Sequence, residues 1–326
     1  MSVEITPRKE IVKMEELDII GADAIGASGV FGSKLDYMKF QKEYLIPTFH
    51  HQPLTARKIV TPTPVTFDGK YEIQIPTYRD IEAPGFGPRP KHKDSDIAGD
   101  YVTVSLPQLY MTALFSSDEL KQPFAGRDRL RRWVWQATKK MAQWEDIIAF
   151  RGDTSNGVVG FIGANSTDLG APTGIWDVQT NSDGFLDNAH GDCIAIMQHF
   201  VDNGLQNRPI KIVMTNHMYM ILATTYIAYT SKSNLDVWYD SLPKGSMIMA
   251  SDNIQASPTA NSGSVVAFVE LKGEDEGGYQ LFASNIQQGL HHTDIWEWRY
   301  GLREKFSVKV VDDAYVCYID AVDTVT

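Results

Sequence analysis

The strongest hydrophobic pattern in the chain lies between Gly126 and Phe150. Apolar residues recur there every three or four positions, which is the spacing of one face of an α-helix. They are Leu130, Val134, Ala137, Met141, Trp144 and Ile148. Basic residues occupy the other faces, namely Arg131, Arg132, Lys139 and Lys140. The pattern predicts a helix about 35 Å long, with Leu130 and Trp144 facing a core.

Two shorter runs upstream alternate apolar and polar residues, which is typical of β-strands. The apolar positions are Tyr71, Ile73 and Ile75 in the first run and Val102, Val104 and Leu106 in the second. Between the runs, residues 84–99 are rich in proline, glycine and charge, which indicates an extended tip. The runs therefore predict a long β-hairpin. Because an isolated two-stranded hairpin is marginally stable in water, we expect it to lie on another surface.

From about Gly191 the pattern is that of a compact α/β lobe. Helices are predicted for CIAIMQHFVDNGL and for NHMYMILATTYI, and Asn216 is well placed to cap the second. Strands are predicted for IKIVMT, MIMAS, SVVAFVE and YQLFA. Three further strands, Ile295–Leu302, Phe306–Val311 and Tyr315–Ile319, are expected to return to the sheet beside the long helix.

The first sixty residues show little periodicity from which a core could form. Their glycines, Gly21, Gly26, Gly29 and Gly32, do not follow the G-x-G-x-x-G fingerprint of dinucleotide sites. We expect a partly helical arm that lies on other subunits and is ordered by them.

An Arg-Gly-Asp tripeptide, Arg151 to Asp153, follows the long helix. Arg151 suits the negative end of a helix, and Gly152 suits the left-handed residue that closes many helices. An adhesion motif would need an exposed loop on a secreted protein, so we interpret the tripeptide as architecture. The next stretch, GVVGFIG, lacks the G-K-[ST] of a phosphate loop and is predicted to be a strand with tight turns.

Composition and charge limit which kinds of partner, site and location the chain can have. The net charge of −11 argues against a protein that wraps nucleic acid, because such proteins cluster Lys and Arg. Cys193 and Cys317 lie in apolar runs and are expected to be buried thiols without a disulfide or zinc. The charged start MSVEITPRKE is unlike a signal peptide, and no stretch is apolar enough to span a membrane. We therefore expect a cytosolic protein.

Candidate catalytic and metal-binding residues do not form a known pattern. Neither histidine pair, His50-His51 or His291-His292, has the spacing of a metal site, and there is no G-x-S-x-G, H-E-x-x-H or CxxC motif. The acidic clusters Glu274-Asp275-Glu276 and Asp312-Asp313 are expected in solvated turns. Lys91 and Lys93 would need a buried amine and a nearby acid to form an isopeptide crosslink. We expect no enzyme activity, no cofactor and no metal.

The order of the predicted elements is an arm, a long hairpin, a long helix, an α/β lobe and returning strands. This order resembles the major capsid proteins of tailed viruses, the Hong Kong 97-type fold, and the encapsulin shells that share it. Four stretches carry the resemblance: LTARKIVTP before the hairpin, WEDIIAFRGDTSNGVVGFIG at the helix end, IKIVMTNHMYMIL in the lobe, and REKFSVKVVDDAYVCYID in the closing strands. The similarity covers residues 54 to 320.

The resemblance implies an α+β fold in five segments. They are an N-terminal arm (1–60), a hairpin called the E-loop (61–112), a peripheral domain with the long spine helix (113–190), an axial domain (191–284) and the returning strands of the peripheral domain (285–326). In this fold the E-loop lies over the adjacent subunit, and axial domains meet at five- and six-fold axes. The residues expected at inter-subunit contacts are Phe86, Arg89, Lys91, Lys93, Arg131, Arg132, Trp238 and Tyr239.

The function that the resemblance implies is that of a viral major capsid protein, assembled in the host cytoplasm as pentamers and hexamers into an icosahedral shell. Its acidic balance suits a wall in loose contact with packaged double-stranded DNA. Since Met1 is present, we expect no cleaved scaffolding segment; scaffolding, portal or decoration proteins would be separate partners. The alternative is an encapsulin that encloses an enzyme, although a long segment precedes LTARKIV where encapsulins usually begin with a short helix. A metabolic α/β enzyme is a third interpretation, and it would need a catalytic constellation.

Overall fold

The computed structural model describes residues 55–66, 72–77, 100–116, 125–163, 165–170, 176, 183–254, 262–271, 278–294 and 297–323. The expected arm, the hairpin tip, the pair His50-His51 and the cluster Glu274-Asp275-Glu276 lie outside these residues. Internal contacts divide the chain into two units. The described part of unit 1 lies within Tyr110–Ala137 and Gln287–Arg303, and that of unit 2 lies within His51–Leu109, Thr138–Ile286 and Glu304–Thr326.

The long helix, α2, runs from Ala125 to Arg151 and confirms the prediction to within one residue at each end. A short helix, α1 (Thr55–Ile59), precedes it. Leu130 is 2% exposed and buried as expected, but Trp144 is 56% exposed, so its predicted burial was wrong. At 100° per residue Trp144 lies at the edge of the apolar stripe. The neighbouring Glu145 takes the buried position instead.

Unit 1 packs the first half of α2 against strands. β4 (Gln108–Ser116) and β10 (Gln287–Asp294) both pair with β11 (Glu297–Val310). The rings of Phe115, Trp133 and Tyr300 meet edge-on, with centroid separations of 6.4 and 5.5 Å. β11 is one strand of 14 residues. The predicted break between Leu302 and Phe306 was wrong, because the charged residues there continue the strand.

Unit 2 contains a five-stranded sheet in the order β5-β12-β8-β6-β7. Its strands are β5 (Thr167–Asp168), β6 (Ile210–Met214), β7 (Met247–Ala250), β8 (Ser262–Val269) and β12 (Val316–Asp323). Its helices are α3 (Asp187–Asp202), α4 (Asn216–Thr224) and α5 (Asn234–Ser241). β6 and β7 are parallel, whereas β8 runs antiparallel to both β6 and β12. The predicted strands and helices of the lobe are thus confirmed, and α5 was missed.

Three details of unit 2 bear on the sequence predictions. Asn216 does not cap α4; its backbone N–H and its side-chain amide instead donate to the carboxylate of Asp252, at 3.1 and 2.6 Å. Cys193 and Cys317 are buried free thiols, as expected. Asp312 lies in a turn and accepts a hydrogen bond from the backbone N–H of Ala314. A helix cap can therefore come from a neighbouring loop.

The hairpin is confirmed at its base. β2 (Glu72–Thr77) and β3 (Asp100–Ser105) form a two-stranded antiparallel sheet in which Ile73 pairs with Val104 and Ile75 with Val102. β1 (Thr63–Pro64) pairs with β9 (Tyr279–Ala283), which also pairs with the second half of β11. The short helix α1 (Thr55–Ile59) precedes β1 and was not predicted.

The tripeptide at the end of α2 is architectural. Gly152 has φ of 76°, and a Cβ on it would come within 2.5 Å of the backbone nitrogen of Gly160. The backbone N–H groups of Phe161 and Ile162 donate to the carbonyls of Ala149 and Phe150, at 2.8 and 2.7 Å. These amides satisfy the open carbonyls of the helix end. The stretch GVVGFIG therefore forms bends, not the predicted strand.

Candidate assembly site

The base of the hairpin is anchored by a small apolar cluster. Val104, Leu106 and Phe282 are buried together, with Val65 and Ile73 packed against them. Other side chains near the base are exposed, including Glu72, Gln74 and Thr103. Within the described residues, β2 and β3 pair only with each other. The hairpin is thus fixed at one end, and no further strand pairs with its edges in the part of the chain that the structure describes.

A buried ionic cluster joins α1 to α2 and β11. The Arg57 cluster consists of Arg57, Glu145, Asp146 and Glu304. Arg57 Nε and Nη2 donate to the two carboxylate oxygens of Glu145 at 2.6 and 3.1 Å, and Nη2 also donates to Glu304 Oε1 at 2.5 Å. Both glutamate side chains are fully buried. One guanidinium therefore bridges two glutamate side chains that come from distant parts of the chain.

Asp146 caps α1 from outside that helix. Its two carboxylate oxygens accept the backbone N–H groups of Thr55 and Ala56, each at 2.9 Å. At the other end of α1, Lys211 Nζ donates to the carbonyl of Ile59 at 2.7 Å. The first amides and last carbonyls of a helix lack partners within it. Charged side chains of unit 2 supply these partners, so a helix of five residues is held at both ends.

Burial governs the protonation of the Arg57 cluster. It raises the pKa of Glu304 well above the usual range, and the nearby charge of Glu145 raises it further, against the opposing effect of Arg57. Glu304 Oε2 is buried and has no hydrogen-bond partner among the described residues. An added proton there would reduce the repulsion between the two glutamates. The buried surroundings of Glu304 therefore favour its protonated form.

Arg151 is an anchor for the end of α2. Nη1 and Nη2 donate to the two oxygens of Asp320 at 2.8 and 2.9 Å, Nε donates to the carbonyl of Ile254 at 2.6 Å, and Nη2 donates to Ser264 Oγ at 2.6 Å. The sequence suggested only a favourable charge at a helix end. The Arg151 side chain instead joins α2 to β8 and β12. A favourable charge at a helix end would not need these contacts.

The residues expected at inter-subunit contacts fall into three groups. Outside the described residues lie Phe86, Arg89, Lys91 and Lys93. On the exposed face of α2 lie Arg131 and Arg132. On α5, Tyr239 is 42% exposed, but Trp238 is 1% exposed and its ring meets that of Trp176 at 5.4 Å. The Trp238 side chain belongs to the core of its own subunit, a correction to the prediction; the contacts of the others remain predictions.

The sequence pattern missed both ionic anchors. Adjacent Glu145 and Asp146 inside an apolar helical run were the only local signal. Arg57, the partner of Glu145, lies 88 residues from it, beyond the reach of any periodicity. Within the described residues there is no group of three potential metal ligands, and no helix there is long and apolar enough to cross a membrane.

The fold is shared with shell-forming proteins. No family model and no curated protein matches the sequence. Among solved structures, a virus-like particle from Pyrococcus furiosus matches with a TM-score of 0.58 at 12% identity, over 87% of this chain and 99% of that one. The capsid of Myoviridae phage XM1 matches with a TM-score of 0.59 at 14% identity, over 82% and 92%. The chain therefore has the α+β Hong Kong 97-type capsid fold that the sequence predicted.

Encapsulins share the same fold. The holo-SrpI encapsulin complex from Synechococcus elongatus matches with a TM-score of 0.55 at 10% identity, over 84% of this chain and 89% of that one. Viral capsids and encapsulins thus both lie among the structural neighbours of this chain.

Proposed function

We propose that the protein is the major capsid protein of a tailed virus, and that it assembles as pentamers and hexamers into an icosahedral shell around double-stranded DNA. The observation that carries the proposal is the hairpin on this fold. β2 and β3 pair only with each other among the described residues, and exposed Glu72, Gln74 and Thr103 lie near their anchored base. A two-stranded hairpin needs a further surface, and a neighbouring subunit supplies one.

The role is structural, not enzymatic. The Arg57 cluster, whose two glutamates are fully buried, and the partly exposed Arg151–Asp320 pair hold elements of unit 2 together. In a closed symmetric shell, the same modest interfaces recur between every pair of neighbouring subunits, so many of them together hold the particle. The net charge of −11 favours loose contact with DNA. Separate scaffolding, portal or decoration proteins would complete the particle, which assembles in the host cytoplasm.

A test of assembly starts from the chain expressed alone, followed by electron microscopy and sedimentation. The test variant lacks residues 84–99, and a matched variant replaces them with a Gly/Ser linker of equal length. We expect the full chain to form shells or capsomers. We expect both variants to stay folded, as judged by circular dichroism, without closing shells. Normal shells from the linker variant would contradict the role of the hairpin tip.

An encapsulin is the second candidate, because an encapsulin shell lies among the structural neighbours. The two functions differ in what the particles contain. Particles from the natural source should hold nuclease-protected DNA and a tail portal if the protein is a viral capsid. Truncation of residues 1–45 should then impair assembly or resistance to internal pressure. Intact truncated shells that only lose a co-purifying enzyme would favour the encapsulin.

A further inference from the structure

The exposed face of α2 is basic. Residues 125–144 of this helix include six Lys or Arg residues and a single acidic one, Asp128. The two other carboxylates of α2, those of Glu145 and Asp146, are buried and bonded to α1. Trp135 is 49% exposed. We call this surface the α2 basic face, and its members are Trp135 and the exposed cations Arg129, Arg131, Arg132, Lys139 and Lys140.

Helix geometry arranges these side chains in two adjacent rows. Residues four apart on a helix are neighbours on its surface. The rows are Arg131, Trp135 and Lys139, and beside them Arg132, Gln136 and Lys140. Each row covers about 12 Å of the helix axis. Because both rows belong to one continuous helix, their spacing follows from α2 alone.

The fold of the subunit leaves part of this charge without a carboxylate. Arg132 and Lys140 make no ion pair within the described part of the chain, whereas Arg151 of the same helix binds a carboxylate. Arg129 has an internal contact, since its guanidinium lies 5.9 Å from the centroid of the Phe115 ring. Like charges one turn apart destabilise a helix. The helices α3, α4 and α5 contain no Lys or Arg at all, so the concentration of cations on α2 is local.

We infer that the α2 basic face binds the phosphate backbone of double-stranded DNA. Lys and Arg side chains donate to phosphate oxygens whatever the base sequence, and the indole N–H of an exposed tryptophan is a further donor. A protein partner matches the face less well. The centre of a protein interface is depleted in charged residues, and the described residues of this face include no exposed aliphatic side chain.

The net charge of −11 limits the strength of this contact. The rest of the acidic surface repels DNA, so binding is confined to one helix face and is weakened by salt. A shell built from such subunits touches its contents without gripping them. The inference rests on the proposed function, in which the shell encloses DNA, and it names the surface that meets the DNA.

The test compares the salt dependence of DNA binding between two matched double variants. Arg132→Gln with Lys140→Gln removes two cations of the α2 basic face. Lys58→Gln with Lys244→Gln removes two exposed cations elsewhere, so the net charge changes equally. Fluorescence anisotropy of a short labelled DNA duplex is measured with the full chain, in one assembly state, from about 50 to 200 mM salt.

The expected result is a change of slope that depends on position. Each phosphate contact contributes about −0.9 to the slope of log K against log salt. The α2 double variant should therefore reduce the magnitude of the slope by about two and weaken binding at about 50 mM salt by about tenfold or more. The control variant should keep the wild-type slope. The charge-conserving variant Arg132→Lys with Lys140→Arg should also keep it, which separates charge from local packing.

Several outcomes would overturn the inference. They are equal slopes in the two double variants, a lost slope in the charge-conserving variant, and wild-type protein that does not bind the duplex at about 50 mM salt. Tighter binding of polyglutamate than of the duplex would assign the face to an acidic protein. An α2 double variant that binds DNA normally but forms no shells would return Arg132 to a contact between subunits.

Electron microscopy of the same preparations keeps this inference apart from the proposed function. If wild-type shells form and the two double variants have equal slopes, only the inference about α2 fails. If the wild-type chain forms neither shells nor capsomers, the proposed function fails.

Discussion

Removal of Arg57 should destabilise the subunit far more than removal of a surface charge. Arg57→Met keeps the length of the side chain but leaves Glu145 and Glu304, both fully buried, without their shared cation. Breaking a buried ion pair by deleting one partner costs about 3–5 kcal/mol, against a total stability of about 5–15 kcal/mol for a domain. An exposed pair would cost about 0–1 kcal/mol. Urea unfolding of the unassembled subunit, followed by circular dichroism, measures the difference.

The pH dependence of this loss has a definite sign. Burial already raises the pKa of Glu304. The folded state therefore binds a proton more tightly than the unfolded state, and the free energy of unfolding falls as pH rises from the unfolded pKa through the folded one. Without Arg57 the folded pKa rises further, so Arg57→Met should cost more at pH 8 than at pH 5. A triple variant, Arg57→Met with Glu145→Gln and Glu304→Gln, should recover most of the loss at pH 8. A loss below about 1 kcal/mol, or one independent of pH, would refute the reasoning.

Two further predictions concern α2 and its surroundings. Trp144→Ala should change the free energy of unfolding by less than about 1 kcal/mol because the side chain is mainly exposed. The matched change Trp176→Ala should cost about 3–5 kcal/mol because Trp176 is buried. Equal losses in urea unfolding would contradict the assignment of their burial. Arg151→Ala should cost about 2–3 kcal/mol, since it leaves Asp320 and the Ile254 carbonyl without a charged donor, and Arg151→Lys should recover only part of this because lysine lacks the planar fork. Thermal unfolding that ranked Arg151→Ala with surface variants would contradict its role as an anchor.

The local pattern of apolar and polar residues was sufficient to predict the long elements of this chain. The period of α2 extends over 27 residues, and its ends could be placed to within one residue. The alternation of Ile73, Ile75, Val102 and Val104 predicted the two strands of the hairpin, and the structure pairs Ile73 with Val104 and Ile75 with Val102. Short elements were harder. α5 has eight residues, and its signal was a capping box in which Ser233 and Asp236 bond reciprocally.

Tertiary contacts account for the errors. Periodicity alone placed Trp144 in the core, because a tryptophan there fits the apolar stripe better than a glutamate. The structure buries Glu145 since Arg57 neutralises it, and this partner is remote in sequence. The charged residues Arg303 to Lys305 suggested a turn, yet Glu304 meets the same Arg57 and the strand continues through them. In both cases one distant cation decided the local structure.

The Arg57 cluster also orders events during synthesis of the chain. Arg57 and Glu304 are 247 residues apart, so at about 5–20 residues per second the ribosome makes the second roughly 12–50 s after the first. Until then α1 lacks one of the two carboxylates that hold its guanidinium. In a nascent or prematurely terminated chain that ends before Glu304, α1 is therefore incompletely attached. The attachment of α1 is thus complete only after β11 has been translated as far as Glu304.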